Sequence, residues 1–176
     1  ENAHQLFLDC YIEGTTDFIF GPSTAVFQNC SIKAKSNSYI TAASTTPGKQ
    51  FGYVFLDCKI VVDSSVTKLY LGRPWRAHAK TVFIRCEMPK QIAAEGWNNW
   101  SNPANEQTVF YAEYKCSGEG AAAGQRVAWS KQLTEKEAKA YTLENIFSSN
   151  SLVKDESGWF MQLRTKPFEL TEIKKQ

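Results

Sequence analysis

Asp17 is the residue of this sequence whose type and position most strongly suggest chemistry. It interrupts an apolar run at residues 16–21, where a buried carboxylate without a partner would be costly. We expect Arg73, in the segment 71–75, to be that partner. Two interpretations stay open at this point. The pair is either a structural ion pair or a carboxylate whose charged form the arginine favours, which makes it available as a nucleophile.

Three tryptophans lie beside Gly, Pro or Asn, in turns rather than in strand interiors, namely Trp75, Trp97 and Trp100. An aromatic ring in a turn beside a groove suits stacking on a sugar. A single tryptophan is nevertheless more often part of a core than of a binding platform. Trp75 favours the binding interpretation, because it stands two residues after Arg73.

Several classes of function are disfavoured. The chain of 176 residues has 20 Lys+Arg and 18 Asp+Glu, whereas a nucleic-acid-binding domain is usually strongly basic. The sequence contains no run of 18 apolar residues, so no membrane-spanning helix is predicted. Residues 1–5 lack the pattern of a signal peptide. The sequence has no nucleophile elbow and no phosphate-binding glycine loop. The two histidines, His4 and His78, lie far apart, so we expect neither a metal nor a cofactor.

A repeat organises the first two thirds of the chain. The segment 6–12, with Phe7 and Cys10, recurs at 26–32, 54–60 and 82–88. The segment 109–113 is interpreted as a decayed fifth copy with Glu113 in place of the cysteine, and Cys116 as lying outside the ladder. Each copy is rich in β-branched and aromatic residues and predicts one strand. Its cysteines are expected to be buried and reduced, with a disulfide between neighbouring copies as the alternative.

A period of 20 to 28 residues without long amphipathic helices indicates one coil of a solenoid. A second strand of each coil is predicted at residues 15–21, 38–43 and 68–75, and residues 92–100 take the same place in the next coil. After residue 116 the pattern changes, and Thr134 with Glu137 predicts a capping box that opens a short helix. We therefore predict an all-β fold, a right-handed parallel β-helix with C-terminal covering loops and short helices.

The segments 14–21 and 71–75 together resemble two signature motifs of the pectin methylesterases. The resemblance implies a secreted or periplasmic carbohydrate esterase that removes methyl esters from polygalacturonate. It further implies that Asp17 is the nucleophile, that Arg73 holds Asp17, and that Trp75, Phe20 and Trp97 contact the sugar. Strict strand alternation would place Phe20 on the face opposite Asp17, so we expect the chain to bend near Gly21.

In that family a Gln-Asp motif and a further Gln motif precede the segment at which this sequence begins, and they supply the general acid and the oxyanion donors. Glu1 and Gln5 do not reproduce them. We therefore expect one domain over residues 1–176 that is the C-terminal portion of such an enzyme, with coils over 1–116 and a covering segment over 117–176. Alone it is expected to be inactive and to self-associate through its open first coil. The alternatives are a non-catalytic pectin-binding β-helix and a polysaccharide lyase or hydrolase of the same fold.

Overall fold

The computed structural model describes residues 3–149, which form coils of short parallel strands. The first coil contains β1 (His4–Leu8), β2 (Tyr11–Gly14) and β3 (Ile19–Gly21). The second contains β4 (Thr24–Gln28), β5 (Ser31–Ala34) and β6 (Tyr39–Ala43). The third contains β7 (Tyr53–Leu56), β8 (Lys59–Val62) and β9 (Tyr70–Pro74). The strands β10 (Lys80–Ile84), β11 (Phe110–Tyr114) and β12 (Lys131–Gln132) follow.

In the described part of the chain, equivalent strands of successive coils pair in parallel and form three sheets. The largest has the order β1-β4-β7-β10-β11-β12, and the other two have the orders β2-β5-β8 and β3-β6-β9. Residues 92–100 continue the third sheet through the isolated bridges Leu69 to Ile92 and Gly72 to Trp97, as the sequence predicted. The right-handed parallel β-helix is confirmed.

The cysteine repeat is two strands and a corner, not the single strand that we predicted. The residue before each cysteine has a positive φ, 53° at Asp9, 56° at Asn29, 55° at Asp57 and 52° at Arg85. A strand needs a negative φ, so the chain turns at these residues and begins a new sheet. Asp and Asn tolerate the left-handed conformation better than most residues do, which the apolar pattern of the repeat does not reveal.

Stacked side chains fill the interior of the coils. The rings of Phe7, Phe27, Phe55 and Phe83 stack with centroids 4.3 to 4.8 Å apart. All five cysteines are free thiols, which agrees with a reduced ladder and not with the disulfide alternative. Cys30, Cys58 and Cys86 are buried as expected, whereas Cys10 is partly exposed.

The fifth rung of the cysteine ladder is Cys116, so the predicted alignment of the last copy was wrong. The Cys116 thiol donates to the carbonyl of Phe83 at 3.6 Å, as Cys86 does to that of Phe55. The strand register sets Glu113 beside Phe83, so Glu113 continues the phenylalanine column. The error arose because the last loop between coils is longer than its predecessors.

Glu113 is paired with Arg126 inside the protein, and both side chains are 3% exposed. The guanidinium donates to both carboxylate oxygens, at 2.8 and 3.0 Å. It also donates to the carbonyls of Ala93, Ala94 and Gly120. The ion pair therefore joins the end of the phenylalanine column to the segment that follows the coils.

That later segment covers one side of the β-helix. Within residues 3–149, a 3-10 helix at Pro103–Gln107 lies in the loop before β11. After β11 come a second 3-10 helix, Ala123–Gln125, and the helices α1 (Glu135–Ala138) and α2 (Leu143–Ser149). Thr134 and Glu137 form the predicted capping box of α1. Ile146 and Phe147 of α2 pack on the outer face of the largest sheet, in a cluster with Val26 and Val54.

Three further expectations concern the ends and the surroundings of the chain. The expected covering role of residues 150–176 lies outside the described residues. Within residues 3–149, β1 pairs with a strand on one side only, β4, and self-association at its other edge stays a prediction. None of the helices in the described part is long and apolar enough to cross a membrane.

Candidate active site

The structure brings Asp17 and Arg73 together across two coils. The Arg73 Nη2 donates to Asp17 Oδ2 at 2.6 Å, and Nε donates to Oδ1 and Oδ2 at 3.1 and 3.2 Å. The Asp17 side chain is 18% exposed and that of Arg73 21%, so one edge of the pair reaches solvent. Two-point donation of this kind fixes the plane of the carboxylate as well as its position.

Asp17 takes its position from a turn rather than from a strand. It precedes β3 and has a φ of 51°, and its N–H donates to the carbonyl of Tyr39 at 2.9 Å. Because the chain turns at Asp17, strand alternation cannot be counted from it. Gly21 has a positive φ of 116°, so the expected bend near Gly21 is present. An earlier turn, which was not expected, lies at Asp17.

Arg73 takes its position from the register of the third sheet. Phe20 pairs with Ala42 and Ala42 with Arg73, so the three side chains form one column. Phe20 points outward and is 66% exposed. Ala42 between them has only a methyl group, which leaves room for the Arg73 side chain to extend toward the first coil. A larger residue at position 42 would stand in that path.

Two aromatic rings cover the faces of the Arg73 guanidinium. Its Cζ lies 4.0 Å from the ring centroid of Tyr39 and 3.8 Å from that of Trp100. Cations at this distance over an aromatic face are attracted by the quadrupole of the ring. The sequence did not predict that either residue contacts Arg73. Tyr39 was not singled out, and Trp100 was considered only as one of three tryptophans in turns that could stack on a sugar.

Phe20 and Trp75 form an exposed aromatic pair beside Asp17 and Arg73. Their centroids lie 6.1 Å apart, edge to face, and Trp75 is 40% exposed. Large apolar side chains that stay exposed on a monomer commonly mark a binding surface. The structure thus brings together four of the five predicted site residues, Asp17, Arg73, Phe20 and Trp75.

Trp97 does not join them. It is 1% exposed and packs in the core against Tyr111, with centroids 4.5 Å apart, and against Phe83. The expectation that it contacts a sugar therefore needs correction, because its ring is not available from solvent. The reason is that the chain continues the third sheet at Trp97, which turns this side chain inward, and bends outward only afterwards, at Trp100.

A cleft of about 560 Å³ adjoins Trp75. One wall is formed by Ser44, Thr45 and Pro47, and the other by Trp75, Arg76 and His78. The Arg76 guanidinium lies 5.0 Å from the Trp75 ring, which adds a positive charge to this edge. A mostly apolar cleft with an aromatic wall, a few hydroxyl groups and one cation is suited to a ligand that has an apolar face and some polar or anionic groups.

The pairing geometry alone does not make Asp17 reactive, because Asp57 has the same arrangement. Asp57 has a φ of 55°, and Arg85 donates to it from the next coil at 2.6 and 2.7 Å. That pair is about half exposed. What distinguishes Asp17 is its surroundings, an arginine covered on both faces and exposed aromatic rings beside a cleft. Such a carboxylate could attack an electrophilic carbon presented from the cleft.

The sequence matches the family described as Pectinesterase over residues 1–150. It is 43% identical over 138 residues to pectinesterase 31 of Arabidopsis thaliana, covering 78% of this chain and 44% of that protein. The fold matches the pectin methylesterase from carrot with a TM-score of 0.82 and 31% identity, over 96% of this chain and 55% of the other.

A further structure that this chain resembles is a pectin methylesterase in complex with a hexasaccharide. The TM-score is 0.67 at 29% identity, over 81% of this chain and 51% of the other. The chain thus spans about half the length of the relatives that it matches.

Proposed function

Because this chain belongs to the pectinesterase family, we propose that it takes part in the hydrolysis of pectin methyl esters, with Asp17 as the nucleophile. The observation that carries the proposal is the Asp17 carboxylate, held at both oxygens by Arg73 beside the exposed Phe20 and Trp75. Membership of the family implies that the enzyme is secreted and acts on the cell wall.

In the proposed reaction an Asp17 oxygen attacks the C6 carbonyl carbon of a methylated galacturonate residue. The tetrahedral intermediate collapses with cleavage of the bond to the methoxy oxygen, which takes up a proton and leaves as methanol. The product is a mixed anhydride between Asp17 and the sugar. Water then adds to the sugar carbonyl, releases the free uronic acid and restores the Asp17 carboxylate. Arg73 stays bound to the aspartate oxygens throughout and keeps the attacking atom in place.

The sugar chain is proposed to lie across Trp75 and Phe20 and to continue into the adjoining cleft. An exposed tryptophan offers a flat apolar face to a sugar ring. Arg76 at the cleft wall would attract the carboxylate of a residue that is already demethylated. The similarity to a methylesterase solved with a hexasaccharide supports an oligosaccharide as the ligand.

We further propose that this segment needs other residues of the enzyme for turnover. Within residues 3–149 the side-chain partner of Asp17 is Arg73, and no second carboxylate is hydrogen-bonded to either residue. A methoxide leaving group needs a proton donor, and the tetrahedral oxyanion needs hydrogen-bond donors. The resemblance implies that both lie in the preceding coils. The segment alone is therefore expected to release no methanol, although it retains the proposed sugar-binding surface.

The test compares methanol release from methylated pectin by the full-length protein, by its Asp17→Ala variant and by a matched Asp57→Ala control. Asp57 also has a left-handed backbone and is paired with an arginine, Arg85, but it does not line the cleft. We expect Asp17→Ala to abolish turnover and Asp57→Ala to preserve it. Retained activity in Asp17→Ala would refute the assignment of the nucleophile. Unsaturated products without methanol would identify a lyase instead.

A further inference from the structure

We propose that Tyr39 and Trp100 are positioning residues, which clamp the Arg73 guanidinium between two aromatic rings and so hold Asp17 in its attacking orientation. The proposal rests on the proposed function for the consequence in catalysis, but the clamp itself is a property of the structure.

The clamp restrains the guanidinium along its Asp17-facing edge and at the two rings, and leaves it partly open to solvent. Its edge donates to Asp17 through Nε and Nη2, and its two faces are covered by Tyr39 and Trp100 at 4.0 and 3.8 Å. A free arginine side chain has many rotamers and loses considerable entropy when it is ordered. Here the aromatic contacts compensate for part of that loss, and the partial burial of the cation strengthens its attraction to the rings.

Tyr39 contacts both members of the ion pair. Its carbonyl accepts the N–H of Asp17 at 2.9 Å, while its ring lies on Arg73. The ring is itself supported by Tyr70 on the neighbouring strand, stacked at 5.2 Å and 19°. The position of Tyr39 therefore sets both the turn that carries the carboxylate and the plane of the guanidinium.

Trp100 is held in place by a strained turn. Trp100 and Ser101 have φ values of 59° and 55°, two successive non-glycine residues in the left-handed region, a conformation that is unfavourable. The Trp100 N–H donates to Asn98 Oδ1 at 2.8 Å. The N–H of Asn98 donates to the carbonyl of Gly72, the residue before Arg73. The turn is thereby tied to the strand whose side chain the tryptophan covers.

The first experiment separates binding from turnover in the full-length protein. We expect Tyr39→Ala to lower kcat on methylated pectin about tenfold with little change in KM, because the clamp acts on the nucleophile and not on the sugar. Tyr39→Phe retains the ring and should stay within about twofold of the unchanged protein. Trp100→Ala should lower kcat, with partial recovery in Trp100→Phe. Tyr114→Ala is the control, because Tyr114 also lies beside a cation, Lys115, on another sheet.

The second experiment does not depend on activity. In protein labelled with ¹⁵N-arginine, the Nε–H signal of Arg73, assigned by its loss in Arg73→Lys, should exchange slowly with solvent. Exchange should accelerate in Tyr39→Ala and Trp100→Ala and stay slow in Tyr39→Phe and Tyr114→Ala.

Equal exchange in all these variants, or equal kcat for Tyr39→Ala and Tyr39→Phe, would overturn the proposal. If the unchanged protein released no methanol, the proposed function would be wrong. The exchange rates would then still test whether Tyr39 and Trp100 restrain Arg73.

Discussion

Removal of the buried arginine Arg126 should destabilise this protein far more than removal of an equally well bonded surface arginine. In Arg126→Met, the Glu113 carboxylate stays inside with no cation beside it, and three carbonyl groups lose a donor. Uncompensated buried charges of this kind reduce the free energy of unfolding by about 3–5 kcal/mol. We expect about 4 kcal/mol, because the Glu113 side chain is 3% exposed and water has little access to it.

Arg85→Met provides the matched comparison. Arg85 donates two hydrogen bonds to Asp57, as Arg126 does to Glu113. The side chains of Arg85 and Asp57, however, are about half exposed. Exposed pairs contribute about 0–1 kcal/mol, so this variant should lie within about 1 kcal/mol of the unchanged protein. The measurement is the free energy of unfolding from urea denaturation of the full-length protein, followed by tryptophan fluorescence.

A double-mutant cycle isolates the pair from the other bonds of Arg126. Glu113→Gln keeps the shape of the side chain and leaves Arg126 its three carbonyl partners, so the loss should be about 2 kcal/mol. The double variant should lose less than the sum of the two single losses, by about 1.5 kcal/mol or more. Additive losses, or an Arg126→Met loss no greater than that of Arg85→Met, would refute the reasoning from burial.

Two further predictions concern backbone packing beside the site and the cysteine ladder. Gly72→Ala should lower the free energy of unfolding by about 1–3 kcal/mol and impair methanol release, because its Cβ would overlap the side chain and the carbonyl oxygen of Thr41. Gly124→Ala, whose Cβ would meet nothing within 4 Å, is the control, and equal melting temperatures would contradict the prediction. Cys30, Cys58 and Cys86 should resist a thiol reagent until the protein is unfolded, because the side chains are buried and burial raises the pKa of the Cys86 thiol. Rapid reaction of all five thiols in the folded protein would show that the ladder opens.

The sequence alone was sufficient for features that depend on local pattern. The recurring Phe and Cys positions predicted a stacked β-helix, because each coil repeats the same small side-chain pattern. The capping box at Thr134 was correct because its two hydrogen bonds join residues three apart in the chain. Asp17 and Arg73 were paired correctly because a carboxylate in an apolar run needs a cation, and few were in reach.

Only the tertiary structure decided which residues face each other between coils. Cys116 occupies the fifth rung of the cysteine ladder and Glu113 lies in the phenylalanine column, because loop length and strand hydrogen bonding set the register. The same register buried Trp97, which had been expected at the cleft. It also brought Tyr39 and Trp100 onto Arg73. These contacts join residues 27 to 34 positions apart in sequence, and no local propensity encodes them. In a β-helix the sequence specifies the rung, and the stacking of rungs determines the neighbours of each side chain.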